Sequence, residues 1–371
     1  MKKPLNFSRG FFSFSARIKT NIYLPLESLY MADKYFWANS LRSTATLGII
    51  VLHVASPVNA GFGHIDNADW WAGNFYGSIT RWCVPAFVML SGSFALEKYN
   101  GNLKNFFAKT FKRISLPFIF WSIVYLLFYN GSELLGNKKT THQKLEFVFR
   151  EIISGTAVHL WFVYMILSMY VLFPLLSKFV KYCSRQEMIY FLILWFLCLI
   201  ITPLLANYET DFDSSYFSGF IGYLLMGNFL FKEEIKPTIW LIFLLFIASF
   251  IFTFIGTYFL SQSKQEMDES LLASLTPNIA LLSFSVYLLF KNIQVKLNRG
   301  FRKIIAGISE HSYGIFLVHI LVLTLFNQIN FTYTIITPII SVPLLSITCL
   351  VISFAVVYLL KKIPFLKVLI G

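Results

Sequence analysis

Long apolar runs recur along the whole chain, and they constrain the fold more than any other feature of the sequence. A helix that crosses a hydrocarbon core of about 30 Å needs about 20 mainly apolar residues, and runs close to that length occur throughout residues 36–360. Only 13% of the residues are charged, against about 25% in typical soluble domains. The sequence therefore excludes a water-soluble fold and predicts an all-α, polytopic membrane protein.

Hydropathy windows of about 19 residues predict ten transmembrane helices. They lie near residues 36–56, 77–96, 114–130, 157–177, 188–206, 216–231, 237–260, 270–290, 307–326 and 335–360. The membrane domain is expected to cover residues 36–361, with a cytoplasmic tail at 362–371. The loop at 131–156 is too short for a domain, so any chemistry has to take place in the membrane domain.

Basic residues are distributed unevenly between the two predicted sides. With the N-terminus inside, 24 of the 31 Lys and Arg fall in inside segments and 5 in outside segments. Cytoplasmic loops of membrane proteins carry such an excess, so both termini are expected in the cytoplasm and the protein in the cytoplasmic (inner) membrane. The formal net charge of +13 is then explained without a nucleic-acid partner.

Two interpretations of residues 1–35 stay open. The segment has Phe7, Phe11, Phe12 and Phe14 among basic residues, but it lacks the continuous apolar core of a signal peptide. It is either a cytoplasmic leader, interfacial or disordered, or it lies upstream of a true translation start at Met31.

Few ionisable residues interrupt the predicted spans. Each costs at least about 2.5 kcal/mol at a helix centre, so each is a candidate for function. They are Arg42, His53, Arg81, His159, His319 and, at a span edge, Glu310. Proton- or cation-coupled carriers usually need buried carboxylates, and no acid within a span is available here to neutralise Arg81. A cationic interior suits an anionic ligand.

Arg42 and His53 are 11 residues apart on the first predicted span. This spacing places them on one helical face, about 16 Å apart along the axis. In the predicted topology Arg42 lies on the cytoplasmic side and His53 in the outer half. Arg81 lies at the depth of His53, and Ser91 lies at the depth of Arg42.

His159 and His319 are expected to meet His53 in the outer half of the membrane. For His159, which is followed closely by Trp161, an interfacial anchor is the alternative. The other histidines, His64, His142 and His311, are expected to be solvated. The cysteines have no CxxC spacing, so we interpret them as reduced structural residues without a metal site; they are Cys83, Cys183, Cys198 and Cys349.

These residue types suit acyl transfer across a membrane. A histidine can take the proton from a sugar hydroxyl as the oxygen attacks a thioester. An arginine can hold a phosphate or stabilise the developing oxyanion. With Arg42 on the cytoplasmic side and His53 nearer the outside, donor and acceptor can approach from opposite sides.

Five short blocks of sequence occur in a characteristic order. They are Arg42 with His53; Arg81 to Gly92; Phe106 and Phe107 with Lys109, Lys112 and Arg113; His159 to Tyr164; and Ser312 and Tyr313 with His319. Together they extend over about residues 35–330 and resemble the acyltransferase-3 family of integral membrane O-acyltransferases. They are most similar to the branch that contains the enterobacterial common antigen O-acetyltransferase and the intercellular-adhesin polysaccharide O-succinyltransferase.

The resemblance implies an enzyme that moves an acyl group, usually acetyl, from cytoplasmic acyl-CoA to a hydroxyl of an extracytoplasmic or lipid-linked glycan. Acyl-CoA is then a co-substrate, and no permanently bound cofactor is expected. His53 is implied as the essential histidine, Arg42 as its partner, and Ser91 with Gly92 as a close-packing or donor-contact turn. From its predicted depth, Arg81 is expected to join the catalytic centre. Further donor- or substrate-binding candidates are Lys109, Lys112, Arg113, His159, Tyr164, Tyr313 and His319.

The chain departs from the family pattern at two positions. The family often has Asp three residues before the Arg, where this chain has Asn39, so a charge pair with Arg42 is missing. The family's basic loop often has two arginines three residues apart. This chain has Thr110 at the first of these positions and Arg113 at the second, and Lys109 or Lys112 is the substitute for the first arginine.

The main alternative function is a transporter or exporter of a polysaccharide or lipid-linked intermediate, and a non-enzymatic membrane receptor is a third. Many carriers show internal repeats. The lack of visible duplication between the halves, together with the lack of acids within the spans, favours the acyltransferase.

Overall fold

The computed structural model describes residues 35–136, 140–205, 219–233, 235, 238–293 and 295–370, and these residues form helices and no strand. The prediction of an all-α fold is confirmed. The helices are α1 (Phe36–Ala60), α2 (Asn67–Thr80), α3 (Cys83–Ala95), α4 (Leu103–Thr110), α5 (Leu116–Leu135), α6 (Thr141–Ser154), α7 (Trp161–Tyr182), α8 (Arg185–Leu205), α9 (Ile221–Lys232), α10 (Ile239–Lys264), α11 (Pro277–Asn292), α12 (Arg299–Gln328) and α13 (Pro338–Leu360).

Nine helical segments in the described part of the chain are long and apolar enough to cross a membrane. They are Phe36–Ala60, Asn67–Lys98, Leu103–Leu134, Trp161–Tyr182, Arg185–Leu205, Ile239–Lys264, Ser270–Asn292, Arg299–Gln328 and Pro338–Leu360. The chain is thus a multi-pass membrane protein. The second and third segments are each built from consecutive shorter helices, because α2 and α3 meet at Arg81 and Trp82 and α4 joins α5 through a π-helical turn.

The predicted span at 216–231 corresponds to helix α9. This helix has 12 residues and a length of about 18 Å, which is less than the thickness of a hydrocarbon core. Most of its side chains are buried inside the protein, so its apolar composition reflects protein packing. Residues 216–218 and the leader at 1–34 lie outside the described residues, and ten crossings with cytoplasmic termini stay a prediction.

Helix α9 packs against α3 with almost direct contact between the two backbones. A Cβ atom on Gly92 would overlap the carbonyl oxygen of Leu224, and one on Gly227 would overlap that of Met89. Ser93 lies beside this contact and donates a hydrogen bond to the Gly227 carbonyl oxygen at 3.0 Å. The glycines therefore allow α9 to fit inside the bundle.

Outer helices differ from the central ones in what they expose. Leu197 on α8 and Phe252 on α10 are largely exposed, as expected where apolar side chains face lipid. By contrast, α1, α3 and α12 have long buried faces. The central helices are consequently the ones that can hold polar groups away from lipid.

Aromatic contacts show which helix ends lie together. Trp37, at the beginning of α1, packs against Phe94 and Phe231, with ring centroids 6.2 Å and 6.5 Å away. Nearby, Lys232 pairs with Glu97 at 2.8 Å. We call this side of the bundle, where α1 begins, the Arg42 end, and the side where α1 finishes the His53 end.

We predict that Gly92→Ala destabilises the protein by about 1–3 kcal/mol, because the added methyl group meets backbone atoms that cannot move independently. The thermal unfolding midpoint of the purified protein in detergent measures this effect. Gly131→Ala on α5 is the matched control, since no atom lies within 4 Å of its Cβ position and Ala is a better helix former than Gly. Equal midpoints for the two variants would contradict the prediction.

Candidate active site

Helix α1 presents Arg42 and His53 on one face, as the spacing predicts. The helix is continuous over 25 residues, from Phe36 to Ala60, so the two side chains are about 16 Å apart along its axis. Ser43 donates a hydrogen bond to the Ile305 carbonyl oxygen on α12 at 2.7 Å. Helix α1 is therefore held against α12 next to Arg42.

Three histidines from three helices or helix ends form one cluster. The ring centroids of His53 and His319 are 5.3 Å apart, and those of His159 and His319 are 5.0 Å apart. His159 and His319 are buried, while His53 is half-buried. The structure thus brings together the three histidines that the sequence places at one depth.

His159 is not the interfacial anchor of the alternative interpretation. Its ring lies between Tyr125 and Phe316, with centroids 5.2 Å and 5.1 Å away. It precedes α7 by two residues, and the turn before that helix points it into the bundle.

The backbone of α12 orients the His319 ring. Its Nδ1–H donates a hydrogen bond to the Phe316 carbonyl oxygen at 2.6 Å, because a carbonyl oxygen can only accept. In this tautomer Nε2 is a proton acceptor, and it makes no hydrogen bond within the described residues. The cluster therefore contains a buried basic nitrogen that is available to a ligand.

Tyr125 on α5 holds the same part of α12. Its hydroxyl donates to the Leu317 carbonyl oxygen at 2.8 Å and accepts from the Leu321 amide at 3.1 Å. These two backbone groups lie on either side of His319 in the sequence. The sequence pattern did not indicate a role for Tyr125.

Arg81 lies at the junction of α2 and α3, close enough to His53 to affect it electrostatically. No acid within a predicted span neutralises Arg81, and among the described residues no carboxylate forms an ion pair with it. Glu269, an exposed residue between α10 and α11, lies within electrostatic range of the Arg81 guanidinium. The Nε atom of Arg81 makes no hydrogen bond within the described residues.

A cavity of about 10 Å³ lies along α1 between Arg42 and His53, which is about the lower limit for one water molecule. It is lined by Thr46, Ile49, Ile50, Phe87, Ile315, Phe316 and His319. Thr46 is one helical turn after Arg42, and Ile50 is about one turn before His53. The cavity therefore lies between the two residues, on the face of α1 that carries both, and its lining includes neither of them.

At the Arg42 end, a serine on α12 connects Arg42 to Asn39. Nη1 of Arg42 donates to Ser309 Oγ at 3.4 Å, and Ser309 Oγ donates to Asn39 Oδ1 at 2.9 Å. The family pattern often has Asp where this chain has Asn39, and here the contact is made through a neutral hydroxyl. Ser309 therefore orients the guanidinium and leaves its positive charge uncompensated.

The basic loop also reaches the Arg42 end. Arg113 is in a π-helical turn, Phe111–Ser115, a feature that is frequent at functional sites. Arg113 and Tyr170 both lie within electrostatic range of Arg42, and Tyr313 fixes the turn by donating to the Ile114 carbonyl oxygen at 2.9 Å. The side chains of Lys109, Lys112 and Arg113 are all exposed.

Two other candidates have structural contacts. The Ser91 hydroxyl donates to the Phe87 carbonyl oxygen of its own helix at 2.9 Å. The Tyr164 hydroxyl donates to the Ile152 carbonyl oxygen and connects α7 to α6. Neither contact joins the histidine cluster.

The prediction for His311 was wrong. His311 is buried, with Nδ1 2.8 Å from the Gly307 carbonyl oxygen and its ring against Phe354. Its position near a span edge did not show that α13 covers it. His64 and His142 are exposed, as predicted.

All four cysteines are free, as the sequence analysis expected. Cys83 packs so closely against α1 that a Cβ atom on Gly48 would overlap its sulfur. Among the described residues, no group of three or more His, Cys, Asp or Glu side chains has the arrangement of a metal site.

The fold and site define a multi-pass membrane protein with histidines and arginines inside its helix bundle. The model of the acyltransferase-3 family, described as an acyltransferase domain, matches residues 35–359. The chain belongs to this family and is a membrane acyltransferase. No curated protein and no solved structure matches it.

We predict that Tyr125→Phe lowers the stability of the protein by about 0.5–1.5 kcal/mol, because it removes the buried hydroxyl that bonds the α12 backbone at Leu317 and Leu321. Thermal unfolding in detergent is the measurement. The control is Tyr129→Phe, which removes an exposed hydroxyl contact with Thr324 and should change stability little. A Tyr125→Phe midpoint equal to that of the control would show that the hydroxyl does not hold α12.

Proposed function

We propose that the protein transfers an acetyl group from acyl-CoA, bound at the Arg42 end, to a hydroxyl of an extracytoplasmic or lipid-linked glycan at the His53 end. The observation that carries this proposal is the pair formed by Arg42 and His53 on one face of α1, with a cavity along the line between them. Acyl-CoA is a co-substrate, and no permanently bound cofactor takes part. The protein acts in the cytoplasmic membrane with its Arg42 end facing the cytoplasm.

The charges at the Arg42 end support an anionic donor. Arg42 and Arg113 lie within electrostatic range of each other, and neither is within 4 Å of a carboxylate in the described part of the chain. A guanidinium matches the geometry of a phosphate group. The donor nucleotide binds there, and its extended pantetheine arm follows the face of α1 towards His53.

At the His53 end, the histidine acts as a general base. It takes the proton of the acceptor hydroxyl while the oxygen attacks the thioester carbon. The carbonyl becomes an oxyanion, which the positive charge of Arg81 stabilises. When the intermediate collapses, the C–S bond breaks and His53 returns the proton to the leaving thiolate, so that the products are an ester and free CoA thiol.

His319 and His159 build the wall of this site. The contact between the His53 and His319 rings supports a positioning role for His319, and its accepting Nε2 can bind the acceptor hydroxyl or a water molecule. The family match supports acyl transfer over the exporter alternative.

The test of the proposal is transfer of radiolabelled acetyl groups from acetyl-CoA in membranes that contain the native acceptor. His53→Gln should reduce transfer by about 10² to 10⁴-fold, the usual contribution of a general base, while the protein level in the membrane stays normal. His64→Gln, at an exposed histidine, is the control and should retain wild-type transfer. Wild-type membranes without acetyl transfer would refute the proposed function, and a fully active His53→Gln would refute the role of His53.

Arg81→Gln is expected to reduce turnover by about 10² to 10³-fold, as observed when an oxyanion donor is lost, with the KM for acetyl-CoA unchanged. Arg150→Gln is the control, since Arg150 is exposed and paired with Glu146 on α6. If Arg81 merely extends to the lipid headgroups, Arg81→Gln will be as active as the control, and Arg81 has no place in the site.

A further inference from the structure

The segment after α13, residues 361–370, is folded against the bundle at the Arg42 end. Ile370 is fully buried, and its carbonyl oxygen is 3.0 Å from the Cβ position of Gly314 on α12. Lys367–Leu369 forms a 3-10 turn that contacts α5. Because Ile370 is anchored in the bundle, the lysines that precede it have defined positions.

Two consecutive lysines at the start of this segment face different surroundings. Lys361 is half-buried and lies within electrostatic range of Glu310, Arg113 and Lys367. Lys362 is exposed, with its Nζ 4.6 Å from the centre of the Tyr358 ring. Lys361 therefore faces the basic loop, whereas Lys362 faces outwards.

Lys361 has charged neighbours of both signs. Burial lowers its pKa, the carboxylate of Glu310 raises the pKa, and the positive charges of Arg113 and Lys367 lower the pKa further. Arg113 in turn interacts with Arg42. The geometry agrees, because Tyr313 contacts the basic loop at Ile114 and its neighbour Gly314 contacts Ile370. Four positive side chains thus extend from the first helix to residue 367, and Glu310 offsets part of their charge. The remaining positive charge favours an anionic ligand.

We propose that Lys361 and Lys367 bind phosphate groups of the nucleotide part of the acyl-CoA donor. This inference rests on the proposed function and extends its donor site from the basic loop to the segment at 361–370. The continuity of Lys361 with Arg113 and Arg42 supports it, because a nucleotide with several phosphate groups needs more than one cationic contact.

Lipid headgroups also carry phosphate groups. Lys361 and Lys362 differ in how well they are placed to bind such headgroups. Lys362 and the largely exposed Phe365 face outwards, as interfacial anchors do. Lys361 instead faces the arginine that interacts with Arg42. The donor is therefore the ligand that we assign to Lys361.

The experiment compares Lys361→Ala, Lys367→Ala and the control Lys362→Ala in the full chain, with two donors. The protein is reconstituted into vesicles of neutral lipid together with acceptor extracted from the native membranes. Acetyl-CoA carries the phosphates, whereas S-acetyl-pantetheine has the same thioester arm without them. Lys361→Ala and Lys367→Ala should each raise the KM for acetyl-CoA by about three- to tenfold, with kcat unchanged. The KM for S-acetyl-pantetheine should not change, and Lys362→Ala should behave as wild type with both donors.

Two further measurements exclude a purely structural effect. Lys361→Arg keeps the charge and should retain a KM near that of wild type. The KM difference between Lys361→Ala and wild type should shrink as salt is added, because salt screens the interaction between exposed charges.

The outcomes separate the inference from the proposed function. If wild type transfers acetyl groups but Lys361→Ala and Lys367→Ala leave the KM for acetyl-CoA unchanged, the inference is wrong and the function stands. An equal KM increase with both donors would assign the lysines a structural role. A defect that appears only in vesicles containing phosphatidylglycerol would assign them to lipid headgroups, and a wild type without transfer from acetyl-CoA would overturn the proposed function and the inference with it.

Discussion

Hydrocarbon offers no hydrogen-bond partner, so a polar group inside a membrane protein has to find one within the protein. Most hydroxyl groups in this bundle bond back to their own helix, as Thr46 does to the Arg42 carbonyl oxygen and Ser91 to that of Phe87. Nε2 of His319 and Nε of Arg81 are among the buried polar atoms that make no hydrogen bond within the described residues. Such atoms are costly, and under the proposed function a substrate beside His53 can satisfy these two.

The distance along α1 explains why the two kinds of residue can serve different molecules. Arg42 and His53 are separated by about three helical turns, so one small ligand cannot contact both, whereas a long donor can. Phe87 and Phe316 line the narrow cavity between them. Under the proposed function, a cavity of this size has to widen before a thioester arm can pass along α1 to His53.

Helical periodicity and the order of the spans were sufficient to predict the face shared by Arg42 and His53 and the meeting of the three histidines. Hydropathy could not predict that α9 is short, because a helix buried in protein and one facing lipid have similar compositions. Tyr125, Ser309 and Glu269 act through partners distant in sequence, and nothing in their local sequence distinguishes them from other Tyr, Ser and Glu residues. The burial of His311 likewise depends on α13, which follows much later in the chain.

The contact between Arg42, Ser309 and Asn39 has a consequence for the donor site. An acidic residue at position 39 would neutralise Arg42, whereas the neutral amide and hydroxyl fix its direction and leave its charge in place. Arg113 adds a second positive charge within electrostatic range. Under the proposed function, the bound donor supplies the missing negative charge. A ligand that binds only the folded state stabilises that state. Since Ser309 on α12 holds Arg42 on α1, a donor bound to Arg42 is expected to stabilise the packing of these two helices.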